Sequence, residues 1–149
     1  MDFERKRRVL VIDDERDFGE VLEILLTRDG YAVEYVSRAS DGLKRLQEGA
    51  IDIIICDVTM PGMDGLAFLK SKREMKLDGT VVMMSAYGSI ESAIECMKLG
   101  AYDYISKPFK SDELLLTLRK LEEREGLRRE NRRLKQALDR GHRFEEIVG

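Results

Sequence analysis

Five times along this chain a short apolar run gives way to a segment whose apolar residues recur at helical spacing, and the links between them are brief. The apolar runs are Val9–Ile12, Tyr31–Val36, Ile51–Cys56, Thr80–Met84 and Ala101–Ile105. Between them Phe18, Val21, Leu22, Leu25 and Leu26 mark one helix, Leu43 and Leu46 a second, and Leu66, Phe68 and Leu69 a third. Ile90, Ala93, Ile94 and Met97 mark a fourth, and a long final helix begins at Ser111. Parallel strands need crossover connections, and a helix between each pair of strands supplies them. The pattern therefore predicts an α/β fold: a doubly wound, five-stranded parallel sheet with helices on both faces. Tyr31–Val36 alternates only in part, which suits an edge strand. Ser40 or Asp41 is expected to cap the second helix, Ser89 the fourth and Ser111 the last, and Gly30, Gly49 and Gly100 stand where helices should end.

The third run carries the strongest functional signal. Ile53-Ile54-Ile55-Cys56 is apolar on both faces and stops at Asp57, and a Pro/Gly loop, Met60-Pro61-Gly62-Met63-Asp64-Gly65, follows. A strand buried on both faces cannot carry a charge in its middle cheaply, so Asp57 is expected at its open C-terminal end. Ligands of open α/β sheets bind at that end.

Composition narrows the class. The 149 residues are 43% hydrophobic and 37% charged, enough for one core and a well-solvated surface. No run approaches the ~18 apolar residues of a membrane span, and Arg5-Lys6-Arg7-Arg8 leads into too few apolar residues for a signal peptide. A cytoplasmic location with no membrane contact is expected. Cys56 and Cys96 lack metal-ligand spacing and read as buried free thiols. The net charge of −3 conceals an acidic body over residues 1–118 and a basic segment over residues 119–143. That segment interleaves Glu at helical spacing and has no aromatic partners. It reads as a solvated helix laced with ion pairs, not as a nucleic-acid surface.

The C-terminal ends of strands one, three, four and five bring Asp13 and Asp14, Asp57, Ser85 and Lys107 to one edge. Three carboxylates there would repel one another unless a cation intervened. A hard divalent ion with oxygen ligands fits, above all Mg²⁺ (or Mn²⁺), which takes one or two carboxylates, water and phosphate. Lysine and a hydroxyl add positive charge and a donor for another anionic group, so the set describes a phosphoryl-acceptor site. Singly, each piece has a plain alternative: the aspartates could cap a helix, and Lys107-Pro108 could be a surface loop.

These residues lie in segments that resemble bacterial response-regulator receiver domains. Val-Leu-Val-Ile-Asp-Asp-Glu, Asp-Val-Thr-Met-Pro-Gly-Met-Asp-Gly, Met-Ser-Ala-Tyr and Tyr-Ile-Ser-Lys-Pro-Phe match in order and position over roughly residues 7–120. The resemblance implies a flavodoxin-like strand order 2-1-3-4-5 and phosphorylation of Asp57 by a sensor histidine kinase. It implies metal ligation by Asp14, Asp57 and the Thr59 carbonyl, with Asp13 acting through water. It places Ser85, the Ala86 amide and Lys107 on phosphoryl oxygens and a cis bond before Pro108, and makes Thr59 and Tyr87 the residues that tune dephosphorylation. Ser85 stands where Thr is commoner. The resemblance makes Ser85 and Tyr104 the switch pair, expected to act on the fourth helix, fifth strand and start of the fifth helix.

Beyond Leu121 the last helix continues with Leu127, Asn131, Leu134 and Leu138 at seam spacing, a pattern for a parallel dimer. The phase change near Gly126 predicts a bend or stutter. Arg143-Phe144-Glu145-Glu146-Ile147-Val148-Gly149 resembles the opening of the AAA+ ATPase domain in nitrogen-regulatory activators that work with sigma-54. The domain reading is a receiver over 1–120, a helical linker over 121–143 and the start of a truncated ATPase domain over 144–149. No Gly-x-x-x-x-Gly-Lys-Ser/Thr is present. The expectation is thus a regulatory, non-enzymatic fragment of a longer protein with attached AAA+ and DNA-binding domains. It would form homodimers through the linker, the fourth helix–fifth strand–fifth helix face, or both. Two rivals are a stand-alone phosphorelay or docking receiver and an aspartate-nucleophile phosphohydrolase. The second usually has an acid two residues after the nucleophile, where Thr59 stands.

Overall fold

The computed structural model describes residues 6–86 and 89–148, with side chains up to residue 139. Tyr87 and Gly149 lie outside the described residues. Five strands, β1 (Arg8–Ile12), β2 (Ala32–Val36), β3 (Ile53–Asp57), β4 (Thr80–Ser85) and β5 (Asp103–Ser106), alternate with five helices. These are α1 (Arg16–Arg28), α2 (Ala39–Gln47), α3 (Gly65–Glu74), α4 (Ile90–Lys98) and α5 (Ser111–Val148). The strands form one parallel sheet in the order β2-β1-β3-β4-β5, so β2 is indeed an edge.

The two faces separate by strand parity, because successive side chains point to opposite sides. Leu10, Ile12, Ile54, Cys56, Val81 and Met83 form one core with Ala39, Leu43 and Leu46 of α2, Phe68 and Leu69 of α3, and Cys96 of α4. Val9, Val11, Ile53, Ile55, Val82 and Met84 face the other way and are also buried. α1 packs on that second face: a Cβ at Gly19 would overlap the ring of Tyr35, which is paired with Val11. β3 is buried along its whole length, as a continuous apolar run requires at the centre of a doubly covered sheet.

Helix starts depart from expectation at α2 and at α5, which takes in Ser111 as its first residue instead of being capped by it. α2 begins at Ala39 with Arg38 as its N-cap and no side-chain cap, so Ser40 and Asp41 lie inside the helix. Ala39 is only 2% exposed, and burying it against the core outweighs the capping preference of the next two residues. Ser89 does cap α4, its hydroxyl accepting from the Ser92 amide at 3.0 Å.

Residues Met1–Ser111 and Asp112–Gly149 form separate compact units. The second consists almost wholly of α5, a single helix that continues through Gly126 without interruption. Its leucines change face instead of the helix breaking. At about 100° per residue, Leu114, Leu118 and Leu121 share one side, and the positions of Leu127, Asn131, Leu134 and Leu138 lie roughly 140° around. Leu127, Leu134 and Leu138 are exposed, at 67%, 56% and 65%.

Candidate functional site

Register builds the site. β1 pairs Ile12 with Cys56, so the next step along both strands places Asp13 beside Asp57, on the α1 face of the sheet. Both carboxylates are nearly sequestered, Asp13 at 0% and Asp57 at 5% exposure. Asp14 turns outward, yet ligand oxygens of Asp13, Asp14 and Asp57 lie within 4.8 Å of one another. Among the described residues they form the one acidic cluster of metal-binding geometry.

Lys107 crosses to this cluster from the end of β5. Its Nζ donates to Asp13 Oδ2 at 2.8 Å and to Asp57 Oδ2 at 3.2 Å. The remaining carboxylate oxygens are held by backbone: the Glu15 amide donates to Asp13 Oδ1 at 2.8 Å, and the Thr59 amide to Asp57 Oδ1 at 3.2 Å. Asp13 therefore does not cap α1, whose N-cap is Glu15 with no side-chain cap. The peptide bond between Lys107 and Pro108 is cis, and the Lys107 amide donates to the Ser85 carbonyl at 2.8 Å.

The electrostatics of this pocket are unbalanced. Burial pushes the Asp57 carboxyl above its ordinary value; Lys107 pulls it back in part, and the charge of Asp13 adds to the rise. Burial alone would lower Lys107, but its hydrogen bond to Asp13 and the charges of Asp13 and Asp57 outweigh that and hold it above its ordinary value. Three carboxylates against one ammonium leave a negative excess in a partly desolvated pocket. That donor set, all hard oxygens with exposed Asp14 leaving room for water, fits a divalent cation of the magnesium type.

Other expected residues fall nearby or apart. Ser85 ends β4 and is 2% exposed. β4 pairs Met83 with Tyr104, so Ser85 and Tyr104 share the α2–α4 face of the sheet. The Tyr104 ring packs against that core, and its buried hydroxyl finds no hydrogen-bond partner among the described residues. Ala86 and Thr59 are exposed at the same sheet edge. The seam residues Leu127, Asn131, Leu134 and Leu138 belong to the second unit.

Three supporting residues were not singled out from sequence. Phe18 counted only as part of the apolar stripe of α1, yet its ring centroid lies 4.2 Å from Lys107 Nζ, and Phe109 meets that ring edge-on at 5.7 Å. Tyr35 donates through its hydroxyl to the Asp13 carbonyl at 2.5 Å. Aromatics at such positions carry no local signal, since their partners are distant in sequence. The loop after β3 is closed by Gly65, whose amide donates to the Val58 carbonyl at 2.8 Å, and Asp64 caps α3.

An open parallel sheet of order 2-1-3-4-5 is the flavodoxin-like class of doubly wound domain, and the acidic cluster and lysine stand at the C-terminal edge where that class binds its ligands. Residues 9–119 match the response regulator receiver domain, and the chain belongs to that family. It is 33% identical over 141 residues to the C4-dicarboxylate transport transcriptional regulatory protein DctD of Rhizobium meliloti (strain 1021), covering 95% of this chain and 31% of that protein. It is 38% identical over 112 residues to the transcriptional regulatory protein ZraR of Escherichia coli (strain K12), covering 75% of this chain and 25% of that one. Thus the chain spans about a third or less of these two relatives. Among solved structures, a response regulator receiver domain protein from Clostridium thermocellum superposes with a TM-score of 0.76 at 30% identity, covering 81% of this chain and 98% of that one. NtrX from Brucella abortus, solved in complex with ADP, gives 0.77 at 32% identity, covering 87% and 29%. No helix among the described residues is long and apolar enough to cross a membrane.

Proposed function

We propose that the chain is the phosphorylation-controlled switch of a transcription activator, and that Asp57 accepts a phosphoryl group from the phosphohistidine of a sensor histidine kinase. The observation that carries this reading is the junction of Asp57, Asp13 and Lys107, joined at 2.8 and 3.2 Å at the C-terminal edge of the sheet. An Asp57 carboxylate oxygen attacks phosphorus, an O–P bond forms, and the P–N bond breaks with its electron pair leaving on the imidazole. Lys107 follows the charge from carboxylate to phosphoryl oxygen, and the Ser85 hydroxyl and Ala86 amide hold the others. Asp14 and Asp57 with the Thr59 carbonyl would hold Mg²⁺ (or Mn²⁺), with Asp13 acting through water, and the ion would neutralise charge during transfer. Thr59 stands beside Asp57 where it can tune water access; Tyr87, proposed for the same task, is outside the described residues.

The phosphoryl group adds about −1.5 to −2 charge and draws Ser85 toward it. Tyr104 shares the face of Ser85 and its buried hydroxyl has no hydrogen-bond partner among the described residues, so rearrangement there changes its environment. The output surface is α4 and β5. It acts on a linker that dimerises through Leu127, Asn131, Leu134 and Leu138 and controls attached AAA+ and DNA-binding domains working with sigma-54.

Incubation with phosphoramidate and Mg²⁺ tests the first part: an acyl-phosphate resonance in the ³¹P spectrum is expected, and its absence from folded protein contradicts the reading. Light scattering with and without beryllofluoride and Mg²⁺ tests the second. A change in mass or in protection of the linker is expected; an unchanged mass with unchanged protection contradicts the dimer switch.

A further inference from the structure

We infer that Phe18 is a positioning residue for Lys107, its ring face serving as a track along which the ammonium moves between the carboxylates and an incoming phosphoryl group. The inference rests on the reading of Asp57 as phosphoacceptor. A lysine ammonium has three N–H donors. Two are committed, to Asp13 at 2.8 Å and Asp57 at 3.2 Å, and the remaining side of Nζ faces the Phe18 ring, 4.2 Å from its centroid. That distance is within cation–π range, and the site is largely dry: the Lys107 side chain is 9% exposed.

The geometry matters because Lys107 must exchange partners. A hydrogen bond to carboxylate is directional, whereas attraction to a ring face falls off gently as the cation slides across it. Phe18 therefore favours the inward rotamers of a long, flexible side chain without fixing the ammonium to one acceptor. Phe109, edge-on to Phe18 at 5.7 Å with planes at 82°, holds the ring in place. The three residues come from the start of α1 and the segment after β5, so one aromatic pair also ties those two segments together at the site. An aliphatic side chain of similar size would fill the space but offer no charge-bearing face.

Phe18→Met and Phe18→Tyr separate packing from positioning, since Met keeps bulk and burial and Tyr keeps the ring. Two readouts apply: affinity for beryllofluoride with Mg²⁺ by ¹⁹F NMR, and the ring-current shift of the Lys107 ε-protons without beryllofluoride. Phe18→Met is expected to weaken beryllofluoride binding about fivefold and to abolish the ring-current shift, while Phe18→Tyr stays within about twofold of the parent. A folded Phe18→Met protein with parental beryllofluoride affinity overturns the inference alone, whatever its ring-current shift. A parent that binds no beryllofluoride overturns the phosphoacceptor reading and this inference with it. Should Phe18→Met fail to fold, Phe18→Tyr and the parent decide the matter: an unshifted Lys107 resonance in both overturns the contact.

Discussion

Replacing Asp57 by Asn is expected to abolish phosphoryl acceptance and, in the metal-free protein at neutral pH, to raise stability by about 1–2 kcal/mol. The gain arises because ionised Asp57 is held in a buried site with ligand oxygens of Asp13 and Asp14 within 4.8 Å, and one lysine cannot offset all of that repulsion. Asn keeps the shape and removes the charge, and Lys107 retains its 2.8 Å bond to Asp13. The pH dependence follows from the direction of the shift. Burial raises the native pKa of Asp57, so the native state binds that proton more tightly than the unfolded chain. This contribution is present below the unfolded pKa and is lost as pH rises through the native one. The stabilisation by Asp57→Asn is therefore full at neutral pH and shrinks on acidification through that window. Metal reverses the comparison: at ten times its dissociation constant Mg²⁺ should stabilise the parent by about 1.4 kcal/mol and the variant far less. Urea titrations with Mg²⁺ and with chelator check both signs. A variant less stable than the parent without metal would contradict this account of the pocket.

Gly65→Ala should destabilise the protein by about 2–3 kcal/mol and disrupt the site with it. A Cβ there would lie 2.6 Å from the Asp57 carbonyl oxygen, 2.6 Å from Met83 Cε and 2.7 Å from Val58 Cα. Met83 can swing its terminal methyl aside, but the two backbone atoms belong to the end of β3 and the residue after it and cannot yield cheaply. Relief must come by moving α3 away from the sheet, which stretches the 2.8 Å bond from the Gly65 amide to Val58. It also displaces the loop whose Thr59 amide holds Asp57 Oδ1 at 3.2 Å. Stability and Mg²⁺ response should fall together. An unchanged urea midpoint would show that the loop absorbs the methyl group without strain.

Much of this site is legible in the sequence because burial leaves a one-dimensional trace. β3 reads as apolar until Asp57, and the same abrupt change marks Asp13, Ser85 and Lys107, so a parallel sheet must gather them at one edge. Helix starts are less legible: burial of Ala39 moved the beginning of α2 ahead of Ser40 and Asp41. Phe18 was hidden for another reason, since its spacing fits the α1 stripe whether or not a cation lies against its ring. Nothing local distinguishes Gly65 from the other loop glycines either, because its constraint comes from β3 backbone and from Met83 of the neighbouring strand. In α5 the phase change near Gly126 reads as a bend or a stutter, and the helix runs through that position uninterrupted.

The identity of the phosphoacceptor can be read chemically. Protein treated with phosphoramidate and Mg²⁺, then reduced with borohydride, converts an aspartyl phosphate to homoserine at the acceptor position, which peptide mass spectrometry locates. Homoserine at position 57 alone is the predicted result. Homoserine at position 13 or 14, or none at all in folded protein with Mg²⁺ bound, would contradict the assignment of Asp57.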